Sequence, residues 1–132
     1  MKRVVSTTTA PAAVGPYSQA IICGNLLFVS GQLPLDPNNG QLIIGDLATQ
    51  TRRVLANIGA ILRTQNLDYS DIIKVTVYLT DLSQFEEFNK AYAGYFPIDP
   101  PARSCVQVAA LPKGAFVEID VIAAISSNTN PI

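Results

Sequence analysis

The chain has 132 residues, 48% of them hydrophobic and only 14% charged, with a net charge of −1, two cysteines and no histidine. That length suits one domain with a genuine core, expected to span residues 1–132. The charge balance lacks the basic stripe of a nucleic-acid binder, no apolar run nears the roughly 20 residues that cross a bilayer, and the missing imidazole removes Ser-His-Asp and Cys-His catalysis and the common histidine metal sites.

The start, Met1-Lys2-Arg3-Val4-Val5-Ser6, is basic without the apolar stretch of a secretory signal. Residues 3–8 read as a short first strand. Pro11, Gly15 and Pro16 make 9–17 a loop. Residues 18–23 and Leu26–Gln32 read as two strands turned back on each other at Gly24-Asn25, and 33–45 is a loop rich in Pro, Asn and Gly. Asp46 suits a helix N-cap, and Leu47, Val54, Leu55, Ile58 and Leu62 then recur at helical spacing, with an end expected near Asn66.

Residues 71–80 alternate, which predicts a strand with Ile73, Val75, Val77 and Leu79 on one side. Ser83 and Glu86 have capping-box spacing, and Phe85, Phe88, Tyr92 and Phe96 form the apolar stripe of a second helix, closed by Pro97, Pro100 and Pro101. Residues 103–111 and 117–125 read as the last two strands, around a turn at Pro112-Lys113-Gly114. Helices gathered on one face of a mixed sheet make an α+β two-layer domain. The other face then needs a cover, which a chain this short must take from a second subunit. The apolar composition fits such an interface and fits a well-filled core equally.

Chemistry without histidine must use carboxylates, arginine, hydroxyls, thiols, backbone and water. Arg103 opens a strand after a proline loop and shares a side with Cys105; a guanidinium there suits carboxylate capture, and a surface ion pair is the plainer alternative. Glu118 and Asp120 face away from Val117, Ile119 and Val121. A buried carboxyl there has a raised pKa suited to proton transfer, whereas a solvated strand face does not. If the two final strands pair as a hairpin, Glu118 lies close to Cys105. Cys105 suits a pocket wall better than a nucleophile, and Cys23 has no role. Gly31, between Ser30 and Gln32, permits close backbone approach to a ligand; Tyr17 and Asn89 suit a cleft wall, or plain packing and an exposed helix face.

These segments together resemble one family. The run from Ala10 to Ala20, Ser30-Gly31-Gln32-Leu33-Pro34, the run from Val75 to Leu82 with Phe88-Asn89, and above all Pro101-Ala102-Arg103-Ser104-Cys105-Val106 with Val117-Glu118-Ile119 are similar to RidA (YjgF-type) proteins over essentially the whole chain. The resemblance implies a chorismate-mutase-like α+β fold, two helices on one face of a mixed sheet, assembled as a cytoplasmic homotrimer with clefts between subunits. It implies hydrolysis of 2-iminobutanoate and 2-iminopropanoate to 2-oxo acids and ammonia, with no metal or cofactor. By position, Arg103 binds the substrate carboxylate, Glu118 orients or activates water, and Tyr17, Ser30, Gly31, Asn89 and Cys105 line the pocket. Two other roles proposed for relatives stand beside it: a non-catalytic binder of 2-oxo acids with regulatory or chaperone-like action, and RNA cleavage, against which the charge balance counts.

Overall fold

Alternating aliphatic residues supply six strands, and two stretches with helical spacing supply the layer that covers them. The computed structural model describes residues 1–126; residues 127–132, the tail of the domain expected over 1–132, lie outside the described residues. In chain order the elements are β1 (Lys2–Val5), β2 (Ala20–Cys23), β3 (Leu26–Gln32), α1 (Leu47–Arg63), β4 (Ile72–Leu79), α2 (Phe85–Ala93), β5 (Ala102–Gln107) and β6 (Val117–Ala124). They form one mixed sheet in the order β1-β2-β3-β6-β4-β5. Only β4 and β5 run parallel, because α2 carries the chain back over the sheet between them.

The α+β architecture is therefore as expected, with one correction to its topology. The final strands do not pair as a hairpin: β6 inserts between β3 and β4, and β4 separates it from β5. The apolar alternation of β6 accounts for this. Val117, Ile119 and Val121 are buried, and a strand in that position needs neighbours on both sides, whereas Ala102, Ser104, Val106 and Gln107 tolerate an edge.

α1 begins where Asp46 Oδ1 accepts from the Thr49 backbone N–H at 2.9 Å, the expected N-cap, and these bonds hold the Asp46 carboxyl below its ordinary value. Val54, Leu55, Ile58, Ile61 and Leu62 are completely buried on its inner face. Each such side chain contributes roughly 1.5–3 kcal/mol, which fixes the helix on the sheet. Two buried amides on α1 bind backbone that lacks a ladder. Asn57 Nδ2 donates to the carbonyls of Leu33 and Leu35 at 3.1 and 3.0 Å. Gln50 Oε1 accepts from the Phe116 N–H at 2.9 Å, just ahead of β6.

Several boundaries differ from expectation for identifiable reasons. The first strand stops at Val5 because the Gln19 side chain captures the following backbone, accepting from Thr7 N at 2.7 Å and donating to Pro11 O at 2.7 Å. α1 ends at Arg63, and a turn with Asn66 at φ 58° leads out of it. Ser83 and Glu86 form no capping box: α2 starts at Phe85, and Asp81 caps the short turn before it by accepting from Ser83 N at 3.0 Å. α2 also ends at Ala93, before the prolines. Ile73 does not join Val75, Val77 and Leu79. It is the extra residue of a bulge against β6 and is 47% exposed, and Ile72 takes the core position.

Candidate active site

The β4–β5 register pairs Val75 with Arg103 and Val77 with Cys105, so both β5 side chains project to the helix-covered face. β5 is an edge strand, and the core thins there. The Arg103 guanidinium settles against α2, donating to Asn89 Oδ1 at 2.9 Å. Its Cζ lies 4.9 Å from the Tyr92 ring centroid, 5.6 Å from Phe85 and 5.7 Å from Phe88. Such contacts contribute roughly 0.5–1 kcal/mol each where exposed and hold the planar fork in one orientation. Burial pushes the Cys105 thiol up, with Arg103 only partly opposing it, so the sulfur is a neutral wall and not a thiolate. Tyr92 Oη is buried without a hydrogen-bond partner among the described residues. These groups set one oriented cation, with an amide beside it, in surroundings of low polarity.

Glu118 belongs to the other face. Its β4 partner is Tyr78, out of phase with the buried Val77 and Leu79. The β3–β6 register shifts between Val29 and Gln32, so Ser30 and Gly31 together oppose Asp120 in a bulge. The Glu118 carboxyl rests on the bare face of Gly31: a Cβ there would collide with Oε2 and lie 2.9 Å from Cδ. A larger residue fits at this position only if the Glu118 carboxyl moves aside. Burial first, and the Asp120 charge second, push the Glu118 carboxyl above its ordinary range. Tyr78 Oη donates to Asp120 Oδ2 at 2.9 Å.

Ser30 is committed to the fold: its hydroxyl donates to Ser18 O at 2.6 Å and its N–H to Gln19 O at 2.9 Å. Tyr17 is half exposed and shares with Gly31 a cleft of about 230 Å³ walled by Pro11, Val14, Leu33 and Leu35. A larger hollow of about 620 Å³ borders Tyr17, Ser18 and Gln19 but contains none of Arg103, Cys105 and Glu118; volume alone does not mark the chemistry here.

The candidate residues thus fall into two groups within one chain. Arg103, Asn89 and Cys105 gather on the helix side of the β5 edge, and Glu118, Gly31, Ser30 and Tyr17 on or beside the uncovered face. Two strand spacings, roughly 10 Å, separate β5 from β6, and the two key side chains point to opposite faces. The sequence reading missed two things. The rings around Arg103 were assigned to the core stripe alone, and the Tyr78–Asp120 bond joins residues 42 apart and is visible only once the register is known. Among the described residues no three His, Cys, Asp or Glu side chains are grouped to hold a metal, and no helix is long and apolar enough to cross a membrane.

Comparison with known proteins places the chain in a family. The family model described as Endoribonuclease L-PSP matches residues 7–125. A RutC family protein of Pyrococcus horikoshii is 50% identical, with 93% of this chain and 98% of that protein covered. A 2-iminobutanoate/2-iminopropanoate deaminase of Bos taurus is 46% identical over 93% of this chain and 90% of its own. The crystal structure of RidA from the Antarctic bacterium Psychrobacter sp. PAMC 21119 superposes with a TM-score of 0.89 at 44% identity, covering 93% of this chain and 99% of the other. On the family match over residues 7–125 and these likenesses of sequence and fold, the chain belongs to the Endoribonuclease L-PSP family, as a RidA-type member.

Proposed function

We propose that this chain hydrolyses reactive 2-imino acids, 2-iminobutanoate and 2-iminopropanoate among them, to 2-oxo acids and ammonia, as a cytoplasmic homotrimer with its active sites in clefts between neighbouring copies. The observation that carries this reading is the division of the candidate residues. A carboxylate receptor on one face and a proton-accepting carboxyl on the other are each incomplete alone. Two copies, with the β5 edge of one set against the Glu118 face of the next, bring both to one small molecule. The deaminase names of relatives at this level of identity support the reaction type.

In such a cleft the Arg103 fork takes the substrate carboxylate through two N–H donors while Asn89 and the aromatic rings keep it aligned. The C=N carbon is already electrophilic. Glu118 removes a proton from water as its oxygen bonds to that carbon and passes that proton to the imine nitrogen, giving a neutral carbinolamine. Glu118 then takes the carbinolamine hydroxyl proton as the C=O bond forms and delivers it to the nitrogen, which leaves as ammonia. The product keeps the carboxylate, so 2-oxo acids bind at the same arginine. A second reading, non-catalytic sensing of 2-oxo acids, rests on the Arg103 group being a carboxylate receptor without Glu118; it requires binding and signalling to survive Glu118→Gln.

The test is complementation. Arg103→Ala and Glu118→Gln proteins, each inactive on imine generated in situ, are unfolded together and refolded at equal amounts. If each cleft takes one group from each copy, about a quarter of the clefts recover both and a like share of ammonia release returns. No recovery, with mixed oligomers demonstrated by mass spectrometry, sinks the composite site.

A further inference from the structure

The uncovered face of the sheet carries two carboxylates where one suffices. The alternation of β6 sets Glu118 and Asp120 on the same face, two residues apart. Like charges at that separation, partly shielded from water, do not ionise independently. Something must decide which of them holds a proton, and their surroundings differ in one respect. Asp120 has a committed donor, the Tyr78 hydroxyl at 2.9 Å. Glu118 lies against Gly31, and what acts on it is burial and the Asp120 charge, with no donor opposing them among the described residues.

We propose that Tyr78 and Asp120 form a positioning pair that divides the roles of the two carboxylates, committing the Asp120 side chain to the Tyr78 hydroxyl beside Glu118 and leaving the exchangeable proton to Glu118. The proposal rests on the reading of Glu118 as the proton-handling group of imine hydrolysis, and it adds the device that sets it. Tyr78 is suited to the task because it stands opposite Glu118 in the β4–β6 ladder yet spends its hydroxyl on Asp120. Burial, with the Asp120 hydrogen bond and the charges of Asp120 and Glu118, keeps the phenol protonated and donating well above neutrality. The other groups around Glu118 supply no competing donor of that kind. On this face β4 adds Thr76 and, further along, Lys74. β3 brings Phe28, Ser30 and Gly31 without charge, and β5 brings Ser104 and Val106. Across the Gly31 cleft stand Tyr17 and Lys113, the latter donating to Gly40 O at 3.2 Å.

The experiment follows the two carboxyls directly, so it does not depend on turnover. Protein labelled with carbon-13 at Glu and Asp carboxyls is titrated by NMR as wild type, Asp120→Asn and Tyr78→Phe, with Glu118→Gln used only for assignment. Asp120→Asn, which keeps size and an acceptor for Tyr78, lowers the Glu118 midpoint by about half a pH unit or more. Tyr78→Phe, which frees the Asp120 side chain to turn away, lowers the Glu118 midpoint by less. A Glu118 midpoint unmoved in Asp120→Asn overturns the pair. Should Tyr78→Phe not fold, Asp120→Asn decides alone. A pH profile of kcat/KM whose acid limb follows the Glu118 midpoint ties the pair to catalysis. Midpoints that move as expected in a protein releasing no ammonia sink the proposed function and leave the electrostatic assignment standing.

Discussion

The two faces of the sheet are built on different terms. On the helix side Val75, Val77, Leu79, Val117 and Ile119 are fully buried and no charge intrudes among them. On the other side Val4 and Phe28 are exposed, and Glu118, Asp120, Tyr78 and Lys74 stand among half-covered neighbours. One face carries stability, and the other keeps its options for partners and ligands. Arg103 belongs to neither regime. It projects to the stability side but from the edge strand, where the core has narrowed to three rings and an asparagine. The lesson is that an arginine can occupy a core face provided the strand beneath it has no further neighbour.

The contrast breaks first at Ile58. Truncating this completely buried side chain, Ile58→Ala, costs about 3–4 kcal/mol in chemical denaturation. Ile73→Ala, the same substitution on the exposed bulge, costs under about 1 kcal/mol; comparable losses at the two positions would show that the faces are not energetically distinct. Arg103→Ala lowers kcat/KM for imine hydrolysis at least about a hundredfold, because the substrate carboxylate loses its one charged partner, and its melting temperature stays near wild type. Gly31→Ala follows, with an activity loss of roughly tenfold or more as the new methyl displaces the Glu118 carboxyl, and a stability cost under about 1 kcal/mol, because only a flexible side chain has to move.

The smallest effect concerns pH and has a definite sign. The folded state raises the Glu118 carboxyl above its ordinary value, so it binds that proton more tightly than the unfolded chain does. Stability therefore declines as pH rises from the ordinary glutamate value through the raised one. Glu118→Gln removes that decline. Its melting temperature across this window should fall less steeply than wild type, and parallel curves would show that the burial of Glu118 is relieved in the assembled protein.

Much of this was legible in the residues. Helical spacing located α1, Asp46 announced its start, and alternation placed Val117, Ile119 and Val121 opposite Glu118 and Asp120, because each of these signals is local. Hidden from the sequence was whatever depended on register between distant strands. The insertion of β6 between β3 and β4, the bulge that seats Gly31 beneath Glu118 and the Tyr78–Asp120 bond are all of that kind. Ile73 was misplaced because a bulge shifts the phase of a strand without leaving a mark on its composition. Arg103 and Asn89 were each visible as candidates, but their contact needed the crossing of α2 over the β5 edge.

The order of the strands has a consequence for how the molecule is made. β6, the last strand among the described residues, is the one that joins the β1-β2-β3 unit to the β4-β5 unit. While a ribosome is still synthesising it, the emerging chain holds two separate ribbons, each with a raw apolar border awaiting the same partner. Nascent chains stalled before residue 117 should therefore stay open to protease and to chaperones, and release of the final strand should close the sheet in one cooperative event. The segment that carries Glu118 is thus also the keystone that joins the two halves of the sheet.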